Sequence, residues 1–285
     1  MKRVTIIADT TCDLSVELKE RYQIKTFPLH VHLGEPDYSD VLDISPDDIY
    51  RWSDENKATP KTSAISPGEA NDILEAALKE AESVICFCIS DHLSSLGNVM
   101  RMAVDELEVG DKVFVVDSKS LSTGIGLQII EAAILAEQGM AAADIVEKIC
   151  SLQSRVRASF VVDTLTYLHR GGRCSGLAVM AGSALKLHPL ISVIDGKMLP
   201  GKKYRGKMDR VILEYVRDME DELKNAKADR VFITHSGCED SILEAVKEEL
   251  KSMHRFEEIL VTRAGSVITS HCGPGTLGVL FIAGE

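Results

Sequence analysis

The sequence is poor in aromatic side chains: tryptophan occurs once, and aromatics make up 5% of 285 residues. It also has no basic face. The formal net charge is −12, and no stretch interleaves cations with aromatics. Such a chain repels a phosphate backbone, which rules out nucleic acid as the partner, and the same charge opposes bulk adsorption to anionic membranes. No run of about 18 uncharged apolar residues is present, so no stable membrane insertion is expected. No opening segment joins a basic start to an apolar core and a small-residue cleavage site, and the expected location is the cytoplasm.

Common chemical signatures are missing as well. GxxxxGK[ST] is not matched, which removes a P-loop, and no GxSxG raises a serine nucleophile on an elbow. The seven cysteines are odd in number and form no CxxC pair. Most of them, including Cys86, Cys88 and Cys150, fall in apolar strand-like or helix-like runs, so buried free thiols are expected rather than a zinc site. His30-x-His32 places two rings on one face of a strand, but no cluster of acids or histidines completes a metal site, and no metal is expected. Met100, Met102 and Met180 are expected to fill gaps in the core, although flexible thioethers would also suit an alkyl-chain pocket.

What is present is a soluble globular composition, 45% hydrophobic and 27% charged, long enough for two domains. "RVTIIADTTCDLSVELKERY" gives an apolar strand, a small polar turn and an amphipathic helix. The unit recurs at 82–107, 111–139 and 229–250, an alternation that implies a mainly parallel sheet with helices on its faces. Between the first two units, Ser66, Pro67 and Glu69 form a capping box, which places Thr62 and Ser63 on the loop entering that helix. After about residue 155 the pattern changes, and Asp195-Gly196 separates two strand-like runs as a tight hairpin turn. The expected fold class is α/β with two domains: residues 1–155, a three-layer α/β/α domain with a mainly parallel sheet, and residues 156–285, an α+β domain with a mixed sheet.

"HCGPGTLG" at 271–278 carries Gly273-x-Gly275-x-x-Gly278, the spacing of a dinucleotide-binding turn. Such a turn follows a strand, opens a helix and needs an acid about 20 residues on. Here seven residues follow Gly278 (285 minus 278), Pro274 fills the first variable position, and "TLGVLFIAG" reads as a buried strand. What remains is a glycine loop carrying His271, with amides suited to a small anion.

Hydroxyls stand at the carboxyl ends of strands: Thr10, Thr11, Thr62, Ser63, Ser90, Ser94 and Ser118. Taken singly, each reads as a helix cap. Together, at the edge of an open sheet where ligands bind beside helix N-termini, they point to a site for a carboxylate or phosphate. A stand-alone hydrolase or transferase acting on a small carboxylate or acyl substrate is the alternative, with Ser94 as nucleophile and His271 as base.

Seven ordered stretches carry a family resemblance: "IIADTTCDL", "KTSAISPGE" at 61–69, "ISDHLSS" at 89–95, "VVDSKSLSTGIG" at 115–126, "VDTLTYLHRGGRCS" at 162–175, "LKLHPLISVIDGKMLP" at 185–200 and "SHCGPGTLGVLF" at 270–281. Along its whole length the chain resembles the DegV family, fatty-acid-binding proteins that serve a bacterial fatty acid kinase. The resemblance implies a long-chain fatty acid, such as palmitate, enclosed between the two domains. Its carboxylate would be held by Thr62, Ser63, Ser94 and His271. Arg173, matching the arginine of the Gly-Gly-Arg motif, would contact the kinase subunit. The implied protein has no catalytic residue, cofactor or metal of its own, because the partner supplies the phosphoryl-transfer machinery. One departure is visible: "SSLGN" at 94–98 stands where the family tends to have Ser-Gly-Thr-Tyr, so Ser95 replaces a glycine beside Ser94.

Overall fold

The computed structural model describes residues 2–173 and 187–284. In the first half, strands β1 (Lys2–Asp9), β2 (Lys25–Phe27), β6 (Ala81–Cys88) and β7 (Val113–Asp117) form a parallel sheet in the order β2-β1-β6-β7. Val84 to Cys88 of β6 are wholly buried, as expected of a parallel strand covered on both faces. Helices α1 (Val16–Arg21), α2 (Pro46–Asn56), α3 (Pro67–Leu78), α4 (Leu96–Glu106), α5 (Thr123–Glu137) and α6 (Ala142–Leu152) lie between and beyond these strands. The capping box of α3 forms as the sequence requires: Ser66 Oγ accepts from the Glu69 amide at 3.3 Å, and the Glu69 carboxylate accepts from the Ser66 amide at 2.8 Å.

A small antiparallel sheet accompanies the parallel one. It is built from β3 (His30–His32), β4 (Asp37–Ser39) and β5 (Lys61–Ser63) in the order β4-β3-β5. Thr62 and Ser63 therefore sit in a strand, paired with Val31 and His30, and not in the loop expected for them. The ladder fixes the Thr62 side chain on the face opposite its two neighbours in sequence.

The second half is a mixed six-stranded sheet of β8 (Val156–Val161), β9 (Leu187–Ile194), β10 (Lys197–Arg205), β11 (Ala226–His235), β12 (Glu258–Arg263) and β13 (Leu277–Ala283), in the order β10-β9-β8-β13-β11-β12. Among the described residues of this sheet, only β11 and β12 pair in parallel. Asp195 (φ 46°) and Gly196 (φ 79°) both have left-handed backbone, the turn geometry that matches the twist of the β9–β10 hairpin. Helices α7 (Thr166–Gly171), α8 (Met208–Asp218), α9 (Glu220–Lys224), α10 (Asp240–Ser252) and α11 (Ser266–Cys272) also belong to this half.

Helix α5 is mostly apolar, and ten of its fifteen residues are buried. A helix of that kind has to lie inside the protein, and α5 packs against β1 on one side and β8 and β13 on the other. It joins the parallel sheet and one face of the mixed sheet into a single core, while a second core under α8 and α10 holds Tyr204, Tyr215 and Phe281. Two expectations about side chains fail. Cys150 is exposed on α6, and Met102 on α4 is 60% exposed, whereas Met100 is buried as expected. Met180 lies outside the described residues.

Candidate functional site

A cavity of about 250 Å³ is lined by five of the residues singled out from the sequence, Thr62, Ser63, Ser94, Arg173 and His271. Its wall is aliphatic, with Leu29, Ile89, Leu93, Leu121, Met198 and Ile268 among the lining residues. A smaller, almost wholly apolar chamber adjoins it, sharing Leu121, Ile268 and Cys272 and reaching Phe160 and Leu280. Polar side chains beside an aliphatic wall make a lining suited to an amphiphile.

The polar end is built around His271. Its Nε2 lies 2.8 Å from Thr62 Oγ1, and its Nδ1 is buried without a hydrogen-bond partner. Burial, and after it the positive charge of Arg173, push the imidazole down from 6.5 to about 4, so the ring is neutral at ordinary pH. A neutral ring offers one N–H and one bare nitrogen. With one nitrogen engaged by Thr62 and the other unmet, the ring keeps an unused polar atom that lies against Gly171 at the end of α7.

The other polar groups are arranged less symmetrically. Ser94 is half-buried after β6, and its Oγ accepts from the Leu96 amide at 3.3 Å as the chain turns into α4. Ser95, the N-cap of α4, is exposed and makes no capping bond. Ser63 is exposed and lies 2.9 Å from His32 Nε2. Arg173 is exposed at the rim, where its Nη1 donates to the Gly171 carbonyl at 2.6 Å. No hydrogen bond joins Ser94 to His271 among the described residues, so a nucleophile–base pair is not assembled there.

Of the hydroxyls noted at strand ends, Thr10, Thr11, Ser90 and Ser118 do not line this cavity. They are used internally: Thr10 donates to Asp40 at 2.7 Å, Thr11 donates to Asp9, Ser90 donates to the Gly196 carbonyl at 2.9 Å, and Ser118 donates to the Ser120 carbonyl at 3.3 Å. The glycine loop also differs from expectation. His271 belongs to α11 rather than to the loop, and the Gly273 and Thr276 amides are taken by Thr269 O and Ser236 Oγ. The glycines serve close packing. A Cβ at Gly278 would fall 2.7 Å from the Ser159 carbonyl, and one at Gly273 would fall 2.6 Å from the Tyr167 ring.

His30 and His32 do form a strand pair. Asp37 lies between them, 3.3 Å from His30 Nδ1 and 3.4 Å from His32 Nδ1, and Glu69 lies 3.1 Å from His30 Nε2. Among the described residues no group of three or more His, Cys, Asp or Glu is placed to hold a metal ion. No helix among them is long and apolar enough to cross a membrane.

Comparison with known proteins bears on the same site. A family model described as uncharacterised protein, DegV family, matches residues 3–284. The chain belongs to the DegV family. A DegV domain-containing protein of Deinococcus radiodurans is 31% identical over 278 residues, covering 97% of each chain. Among solved structures, a fatty-acid-binding DegV family protein from Thermus thermophilus superposes with a TM-score of 0.90 at 31% identity, covering 99% of both chains. A stearic-acid-binding protein from Eubacterium ventriosum gives a TM-score of 0.84 at 26% identity, covering 99% of this chain and 98% of that one. The two-domain α/β architecture of these DegV structures is the architecture of this chain.

Proposed function

We propose that this DegV protein binds a long-chain fatty acid such as palmitate between its two halves, divided near residue 155. The carboxylate would meet Thr62, Ser63, Ser94 and His271, and the tail would follow the aliphatic wall past Leu121 and Ile268. The observation that carries this reading is the neutral His271 imidazole, hydrogen-bonded to Thr62 on one side and bare on the other, at the polar end of an otherwise apolar cavity. The fatty-acid-binding relatives from Thermus thermophilus and Eubacterium ventriosum support it.

Magnitudes divide the work between the two ends. At about 0.8 kcal/mol per buried CH₂, a long tail supplies on the order of 10 kcal/mol before association costs. One hydrogen bond to a charged carboxylate adds only about 1.5–3 kcal/mol. The tail sets affinity, and the head-group residues set orientation.

In this reading the protein is a cytoplasmic carrier without catalysis or cofactor of its own, presenting the carboxylate to a separate fatty acid kinase that makes the acyl phosphate. Arg173, exposed at the cavity rim in a chain of net charge −12, supplies a fork of donors suited to an acidic partner surface. A stand-alone hydrolase is less well supported, because Ser94 and His271 are not joined and the imidazole titrates far below neutrality. Native mass spectrometry and lipid extraction of protein purified from a lipid-containing host test the reading. A co-purifying fatty acid is expected; protein that is repeatedly empty and has no affinity for added fatty acid would overturn it.

A further inference from the structure

Three non-glycine residues with left-handed backbone come together at one place: Asp13 (φ 50°), Val41 (φ 68°) and Ser122 (φ 54°). For a β-branched residue such as Val41 that conformation is a steric outlier, and strain of this kind persists only where the surroundings over-determine it. The place they surround is the amino end of α11, the helix that carries His271 near its other end.

Two carboxylates grip that end. Asp13 Oδ1 accepts from the Gly265 amide at 2.8 Å, and Asp40 Oδ1 accepts from the amides of Ser266 at 2.8 Å and Val267 at 3.3 Å. Their second oxygens accept from Ser122 Oγ at 2.5 Å and Thr10 Oγ1 at 2.7 Å. The acids and both hydroxyls come from the first half of the chain, and α11 comes from the second. Asp13 is 6% exposed and Asp40 is fully buried. Burying a carboxylate is costly, and here burial pushes Asp13 up to about 8 and Asp40 upward, against the hydrogen bonds that favour their charged forms. A fold that needed only to fill this space would do so more cheaply with apolar residues.

The geometry links this grip to the cavity. From Ser266 to His271 the helix axis advances about 7.5 Å at about 1.5 Å per residue. A change of about 10° in the direction in which the gripped amino end aims α11 shifts the imidazole, about 7.5 Å along the axis, by more than 1 Å, enough to break the 2.8 Å contact with Thr62. We propose that Asp13 and Asp40 are positioning residues for the head-group site: by holding the amino end of α11 they set where His271 meets Thr62 and the ligand's carboxylate. This rests on the fatty-acid reading above.

The test compares palmitic acid with hexadecanol, which has a chain of the same length and no carboxylate, in the full chain and its variants. Asp40→Ala is expected to weaken palmitic acid at least tenfold and hexadecanol less than twofold. Asp40→Asn, which keeps an acceptor for the Ser266 and Val267 amides, is expected to restore most of the loss. Equal losses for both ligands, an unaltered affinity in folded Asp40→Ala, or an asparagine variant no better than alanine would overturn the proposal. If Asp40→Ala does not fold, amide hydrogen exchange in the lipid-free wild type decides. Slow exchange at Gly265, Ser266 and Val267 is expected, and exchange as fast as that of exposed amides would overturn the clamp. Wild type that binds neither ligand would count against the fatty-acid reading itself.

Discussion

Replacing His271 by glutamine should change the way stability depends on pH. In the fold the imidazole is held at about 4, first by burial and then by Arg173, whereas an unfolded chain leaves it near 6.5. Between those values the unfolded chain carries a proton that the folded chain does not, so stability rises with pH through this window. The contribution is fully present above about 6.5 and is lost as pH falls towards about 4. At about 1.4 kcal/mol per pH unit, the interval amounts to roughly 3 kcal/mol. The buried acids act in the opposite sense. Asp9 and Asp13, raised to about 6 and about 8, stabilise the fold below their unfolded values and lose that contribution as pH rises through the folded ones. The wild-type profile is therefore a sum of opposed slopes, and the informative quantity is the difference between wild type and His271→Gln, in which the acids cancel. Urea unfolding of both proteins from about pH 7 to about pH 4 should show the variant losing roughly 3 kcal/mol less on acidification. A difference that stays flat over that range would refute the assignment of a neutral, buried His271.

Thr62→Val combined with Ser94→Ala should weaken fatty-acid binding by only a few kcal/mol, measured by calorimetry, because the tail contribution is untouched. Kinase turnover with lipid-saturated protein should fall further, since phosphoryl transfer depends on the geometry of attack; turnover equal to wild type would show that these hydroxyls do not place the carboxylate. Arg173→Ala should leave lipid content unchanged by mass spectrometry while lowering acyl-phosphate formation at least tenfold, about 1.4 kcal/mol of coupling. Lost lipid with normal turnover of whatever remains would instead place Arg173 in the head-group site.

The parallel sheet, the mixed sheet and the hairpin at Asp195-Gly196 were legible in the sequence because each rests on local signals: apolar runs, capping residues and a turn dipeptide. Strand β5 was not. Its three residues are too few to show a period, and they are a strand only because His30, Val31 and His32 of β3 pair with them. Cys150 and Met102 were misplaced for a related reason: an isolated apolar residue on a helix takes whichever face its neighbours leave, and here that face is solvent. Thr62, Ser94 and His271 could be named from short motifs, yet the aliphatic wall could not, since Leu29, Leu121 and Met198 come from three distant segments with no shared spacing. Asp13 and Asp40 were equally hidden, because nothing in a sequence marks a carboxylate whose partners are amides in the other half of the chain.

Helix α11 contributes to both the polar and the apolar lining of the cavity. Val267 and His271 are four residues apart, as are Ile268 and Cys272, so both pairs fall on one stripe of the helix, and all four line the cavity. One rigid element thus carries the imidazole at the polar end and part of the hydrocarbon wall beside it. In the proposed complex, a tail packed against Ile268 and Cys272 would press on the helix that carries His271, and a carboxylate held at His271 would steady the wall against which the tail packs. Because the amino end of that helix is tied to the first half of the chain through Asp13 and Asp40, the carboxylate and tail of a fatty acid would meet a surface whose two contributions are held by the same contacts between the halves.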